Sequence, residues 1–197
     1  MRKEFFELPP PEATSPVKLL MMGRISPWKG QLKFLEALVL LQNQLGNTNW
    51  HADIVGGSLF GESEYEKQIR DFLKVHSLER KVSMHGHVKD VTPYLAASNI
   101  VVHSSILPEP FGQVIAQGMA AGRAVIAANS GGPLDIITPN QDGVLVDPAN
   151  TSAFAAALHE LVLDSDRRET LGRAAKEKAK RYAVALVTEQ VRKVLLP

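Results

Sequence analysis

Pro108-Glu109-Pro110-Phe111-Gly112-Gln113-Val114-Ile115-Ala116-Gln117-Gly118-Met119-Ala120-Ala121-Gly122 sets a lone carboxylate at the junction of a strand and a helix. The apolar run Ile100 to Val102 leads into the stretch and a second run, Ala124 to Ala128, follows it; helix formers fill the interval from about Gly112 to Ala121. The junction therefore belongs at the carboxyl edge of a parallel sheet. A helix start there, free of bulk at Gly112, offers unpaired N–H groups and the positive end of a dipole, which suit phosphate or sugar oxygens.

The same alternation extends in both directions. Val17 to Met22, His51 to Val55, Val82 to His85 and Gly143 to Val146 read as further strands, short and apolar as strands buried on both faces must be. Between them, Gln31 to Leu45 carries Leu32, Leu35, Leu38, Val39 and Leu45 along one helix face, and Glu62 to His76 turns Tyr65, Ile69, Phe72 and Leu73 inward. Val91 to Ala97 makes a short helix behind Asp90 as cap, and another begins at Pro133. The expected fold is α/β: one doubly wound, six-stranded, mostly parallel sheet with helices on both faces, over residues 17–182. Ser152 to Leu163, Asp166 to Tyr182 and Ala185 to Leu196 form a helical tail, with Asn150-Thr151 and Asp164-Ser165 as caps and residues 183–197 as the last helix. Residues 1–16, with Pro9-Pro10-Pro11 and Ser15-Pro16, read as an extended linker.

Composition narrows the function. Lys plus Arg (22) nearly balances Asp plus Glu (21), so no global field draws in nucleic acid or an anionic membrane, and any anion site must be local. There is no cysteine, which removes disulfides, thiol catalysis and cysteine metal sites. No apolar stretch approaches the length of a membrane span and the charged start lacks a secretory core, so the cytosol is the default compartment. Any membrane association would come through a further part of the protein.

The first strand ends in Met22-Gly23-Arg24-Ile25-Ser26-Pro27-Trp28-Lys29-Gly30, which places two cations five residues apart in a loop entering a helix. A planar guanidinium fork and a mobile ammonium can together clamp a diphosphate; the alternative is a pair of solvated surface charges. Val55-Gly56-Gly57 and Gly86-His87-Val88 close strands with residues small enough for a base or ribose to approach the backbone, or simply serve as turns. Asn129-Ser130-Gly131-Gly132-Pro133 puts backbone donors ahead of another helix. His85 and His87, two apart, could share a face as metal ligands do, although a core and a loop histidine explain them better. His103 ends a strand close to Glu109, and its role stays open. Lys176-Glu177-Lys178-Ala179-Lys180-Arg181 reads as a solvated helix face.

Taken in order, Gly-Arg with Lys-Gly, Val-Gly-Gly, Glu109-Pro110-Phe111-Gly112, Met119-Ala120-Ala121-Gly122, Gly-Gly, Asp142-Gly143-Val144-Leu145-Val146 and Asp147-Pro148 resemble the carboxyl-terminal domain of retaining nucleotide-sugar glycosyltransferases of GT-B architecture, the "glycosyl transferases group 1" family. The resemblance runs from about Val17 to Tyr182 and implies a Rossmann-like domain that binds the nucleoside diphosphate sugar. By it, Arg24 and Lys29 hold the diphosphate, and Glu109 with the backbone of Phe111 and Gly112 holds hydroxyls of the transferred sugar; these three side chains are the catalytic candidates. Gly23, Gly56, Gly57, His87, Gln113, Val114 and Gln117 complete the binding set. The family's second motif glutamate is replaced here by Gln117, which can still meet a ribose diol but brings an amide in place of a carboxylate. Asp135 stands where the family usually has glutamate.

The implied reaction replaces the nucleoside diphosphate at the anomeric carbon by an acceptor hydroxyl with retention, without a metal or other cofactor. A complete enzyme of this kind has an amino-terminal acceptor domain, so the resemblance implies a donor-binding half, inactive alone and completed in cis or in trans. A noncatalytic sugar-nucleotide sensor or scaffold is the second reading, hinted at by Gln117. An unrelated Rossmann-like oxidoreductase or methyltransferase fits least: no Gly-x-Gly-x-x-Gly turn follows the first strand and no acidic residue ends the second.

Overall fold

Each of six apolar runs takes its place in one sheet: β1 (Val17–Met22), β2 (Trp50–Val55), β3 (Val82–Met84), β4 (Ile100–Val102), β5 (Ala124–Ala128) and β6 (Val144–Val146), in the order β3-β2-β1-β4-β5-β6. The computed structural model describes residues 1–11, 16–45, 49–59 and 61–195, excepting the side chains of residues 45, 190 and 194. All five strand pairings are parallel. Strand order reverses between β1 and β4, and the crevice beyond their carboxyl ends is where such a sheet receives ligands.

Side-chain alternation divides the core in two. Leu19, Met21, Ala52, Ile54, Ile100, Val102 and Ile126 point to one face, where α2 (Gln31–Leu45), α3 (Ser63–Val75) and α7 (Thr151–Leu163) cover them. Leu20, Met22, Val55, Val101, Val125 and Ala127 point to the other, beneath α4 (Thr92–Ala97), α5 (Gln113–Ala120) and α6 (Pro133–Ile136). On α2, Leu35 and Leu38 are fully buried while Leu32 and Val39 only edge the core, because Phe34, Ala37 and Leu41 complete the inward face; the expected side-chain position of Leu45 lies outside the description. Phe34 meets Phe154 of α7 with ring centroids 6.1 Å apart. Gly118 lets α5 settle on the sheet, since a Cβ there would lie 2.9 Å from that of Val101.

The amino-terminal residues differ from the extended linker expected of them. Lys3–Phe6 form a short helix, α1, and Phe5 is 1% exposed within the second core, with Met1, Phe6 and Leu8 packed beside it. Proline composition describes only the segment after this anchor; the aromatic area of Phe5 is what holds the helix down. Arg123, fully buried, donates to the Pro9 carbonyl at 2.9 Å and that of Ala96 at 3.3 Å, and Lys176 donates to Leu8 at 3.2 Å. Residues 12–15, part of the expected linker, lie outside the description. Phe5→Ala should cost about 3 kcal/mol of stability, read as a shifted urea midpoint, whereas a free linker would lose nothing.

The tail forms as expected at its caps. Asn150 accepts from the Ala153 N–H at 3.0 Å to start α7, and Asp164 accepts from Arg167 at 2.8 Å to start α8 (Ser165–Ala179). A 3-10 turn, Lys180–Tyr182, leads to α9 (Val184–Leu195). The Val184 N–H donates to the Met1 carbonyl at 3.1 Å, and the Met1 amino group donates to that of Tyr182, so the first residue is stitched to the start of the last helix. The basic run on α8 is less solvated than expected, because Lys178 reaches Asp142 at 2.8 Å and Lys176 holds Leu8. Among the described residues no helix is long and apolar enough to cross a membrane.

Candidate functional site

Where β1 and β2 end, their exit loops touch backbone to backbone. A Cβ on Gly56, whose φ is +145°, would lie 1.8 Å from the Gly23 carbonyl oxygen, so only glycine allows the approach. The result is a cavity of about 270 Å³ lined by Gly23, Arg24, Gly56, Gly57, His87, Val114 and Gln117, with Met22, Val55, Ser58, Leu59, Val88 and Val91 completing the wall. Gly23 to Gly57 come from the ends of β1 and β2, His87 from beyond β3, and Val114 and Gln117 from the first turns of α5. Gln31, fully buried, donates to the Arg24 carbonyl at 2.9 Å and so fixes the loop, while the Arg24 Nε stands 3.9 Å from a Glu62 carboxylate oxygen.

Lys29 follows on a 3-10 turn, Pro27–Lys29, with its ammonium over the Trp28 ring, 4.3 Å from the centroid. Its stem runs alongside Gly23, 3.9 Å from where a Cβ would start, and its Nζ pairs with the Glu109 carboxylate. Thus the loop after β1 and the residue that precedes α5 share one rim of the sheet. Ser104 ties them further, its Oγ lying 3.2 Å from the Lys29 carbonyl and 3.1 Å from that of Gly30.

Glu109 is 9% exposed, and Lys29, Ser105 and His103 all address its Oε1. The His103 Nδ1 lies 3.4 Å from the Ala128 N–H and accepts from it, which leaves the proton on Nε2, 3.1 Å from Oε1 though off the line of a good hydrogen bond. Burial pushes the Glu109 carboxyl up, but His103, Lys29 and Ser105 together outweigh it and hold the group down at about 2. It is therefore a fixed anion at neutral pH. The Gly132 N–H donates to the Glu109 carbonyl at 2.7 Å, and a Cβ on Gly132 would lie 2.5 Å from the Phe111 Cα, so the loop after β5 lies directly on the Glu109–Phe111 backbone.

Phe111 and Gly112, on the turn into α5, and Gln113, its first residue, lie outside the cavity lining; the exposed Phe111 ring meets Tyr182 edge-on at 5.6 Å. Asp135 is exposed and makes no capping bond to α6. His85 and His87 part company: the first bonds Asp53 at 2.6 Å and stacks edge-on against Tyr94, while the second lines the cavity. Ser105 was not singled out in the sequence, where the only signal is a hydroxyl four residues ahead of Glu109.

The family model for glycosyl transferases group 1 matches residues 3–178. D-inositol 3-phosphate glycosyltransferase of Paenarthrobacter aurescens (strain TC1) is 32% identical over 168 residues, 83% of this chain and 40% of the relative. The crystal structure of Anabaena HepE in complex with UDP and glucose superposes with a TM-score of 0.84 at 31% identity, over 90% of this chain and 47% of that one. The carboxyl-terminal domain of a Francisella tularensis group 1 protein, LpcC, shares the fold at 23% identity, with a TM-score of 0.80 over 91% of this chain and 98% of that domain. The chain spans less than half the length of the curated relatives it matches. With its all-parallel sheet, its glycine-built crevice and its ordered motifs all falling within the matched residues, the chain belongs to the glycosyl transferases group 1 family.

Proposed function

We propose that this chain is the donor-binding half of a retaining glycosyltransferase, taking a nucleoside diphosphate sugar and serving transfer of the sugar to an acceptor hydroxyl. The observation that carries the reading is the shared rim: Arg24, Gly56, His87 and Gln117 line one cavity, and the Lys29–Glu109 pair stands beside Gly23 at its edge. In this reading the base and ribose enter between the Gly56-Gly57 loop, His87 and Gln117. The diphosphate meets Arg24, Lys29 and the α5 amino terminus, and the sugar turns toward Glu109 and the Phe111–Gly112 backbone. Negative charge accumulates on the departing diphosphate as the anomeric carbon becomes oxocarbenium-like, so preorganised donors there stabilise the transition state more than the ground state, by a few kcal/mol each. No metal is required for that, and chelator should leave donor binding unchanged.

Titration calorimetry with UDP, UDP-glucose, GDP and ADP tests the reading, with nicotinamide and adenosyl cofactors as controls; the UDP compounds come first because HepE was crystallised with UDP and glucose. Binding of the cofactors without any nucleoside diphosphate would overturn it. Retention is read from the anomeric configuration of product made by the enzyme completed with an amino-terminal acceptor domain, and robust transfer by the 197-residue chain alone would contradict its being only a half.

Gln117 also lends weight to a noncatalytic sensor or scaffold, since it lines the cavity at the position of the family glutamate. Gln117→Glu should raise affinity for the nucleotide about fivefold, because a carboxylate accepts two ribose hydroxyls where an amide accepts through one oxygen. Unchanged affinity in the same calorimetric titration removes the argument that this site has decayed.

A further inference from the structure

Lys29, Ser105 and His103 converge on a single oxygen of Glu109, Oε1, while no described residue donates to Oε2. A carboxylate bonded by one oxygen only to its neighbours could swing; hydrogen bonds from Lys29 and Ser105, on two loops, with the His103 Nε2 packed 3.1 Å from the same oxygen, remove that freedom. Lys29 arrives from the turn before α2, and Ser105 and His103 from the end of β4, where they are 1% and 4% exposed. The His103 ring is itself held through Nδ1 by the Ala128 N–H. We propose that Ser105 and His103 are positioning residues that pin Glu109 through Oε1 and leave Oε2 as a rigid, acceptor-only contact for one hydroxyl of the transferred sugar. The inference rests on the donor-site reading above and adds a substrate requirement to it: the sugar must carry, at the position facing Oε2, a hydroxyl able to donate.

The chemistry is selective in a definite way. An ionised carboxylate has no proton to give, so replacing that sugar hydroxyl by hydrogen or by fluorine loses the same hydrogen bond. Fluorine adds repulsion between two electronegative atoms. A protonated carboxyl would tolerate the fluoro compound better than the deoxy one. The titratable groups that face Glu109 among the described residues are Lys29 and His103, and both favour its anion.

The test measures UDP and UDP-glucose binding to the 197-residue chain and to Ser105→Ala, Ser105→Thr and His103→Ala, with thermal unfolding to verify each fold. UDP affinity should stay within about twofold, whereas Ser105→Ala and His103→Ala should each weaken UDP-glucose about tenfold, and Ser105→Thr, which keeps the hydroxyl, should restore most of it. Against wild type, one monodeoxy UDP-glucose should lose about tenfold and the matching deoxyfluoro compound at least as much. Because burial remains when a donor is removed, the variants should also lose their preference for the sugar nucleotide on acidification to about pH 5, where wild type keeps it. Equal weakening of UDP and UDP-glucose, failure of Ser105→Thr to rescue, or an unchanged sugar preference in every variant overturns the positioning role while leaving the donor site intact. If wild type binds neither UDP, GDP, ADP nor their glucosides, the donor-site reading fails and this inference falls with it.

Discussion

Arg24→Ala is expected to weaken nucleoside diphosphate binding about a hundredfold, the loss of a two-pronged charge-assisted contact. The side chain is a third exposed and lines the crevice at the end of β1, with a Glu62 carboxylate oxygen 3.9 Å from its Nε. That contact is long, so removing it costs the fold under about 1 kcal/mol. Calorimetry with UDP and a thermal melt on the same sample separate the two effects. A loss below threefold, with the melt unchanged, would remove Arg24 from the diphosphate grip.

Lys29→Met should act on both binding and folding. Its ammonium is the cation against a carboxylate that burial alone would push up and that its three neighbours hold at about 2, against the ordinary 4.5. A group depressed in the fold contributes stability above its unfolded value and loses it as pH falls, here from about 4.5 down through about 2; the contribution at neutral pH is roughly 3 kcal/mol. Methionine keeps the stem and drops the charge, leaving the buried Glu109 with Ser105 and His103 alone. Stability at pH 7 should therefore drop by about 2 to 3 kcal/mol, the deficit should shrink below about pH 4, and diphosphate binding should fall at least tenfold. Urea titrations at the two pH values give the first pair of results; a deficit independent of pH would mean that the lysine acts by packing alone.

How far the fold could be read ahead of the structure depended on whether the signal was local. Val17 to Met22, Gln31 to Leu45 and Ala124 to Ala128 have the ends expected of them, because Gly23, Gly30 and Gly122 punctuate the apolar pattern within two residues of one end of each. Phe5 carried no such signal: its helix is four residues long and exists because a pocket built by the rest of the chain accepts one ring. The Lys29–Glu109 contact joins residues 80 apart, and motif order alone brought them onto one rim. Ser105 was hidden for the same kind of reason. Its hydroxyl reaches the carboxylate only because the chain doubles back between the end of β4 and α5, a closure that no periodicity announces.

The stitch between Met1 and the residues around Val184 gives the domain a definite mechanical behaviour. Tension applied across the chain's first residue and its last helix would load the Val184-to-Met1 and Met1-to-Tyr182 bonds before any strand pairing, peeling them one after another while the sheet stays whole. In an optical trap the trace should then begin with a small, early, reversible extension as α9 comes away, followed at higher force by the cooperative rupture of the six-stranded body.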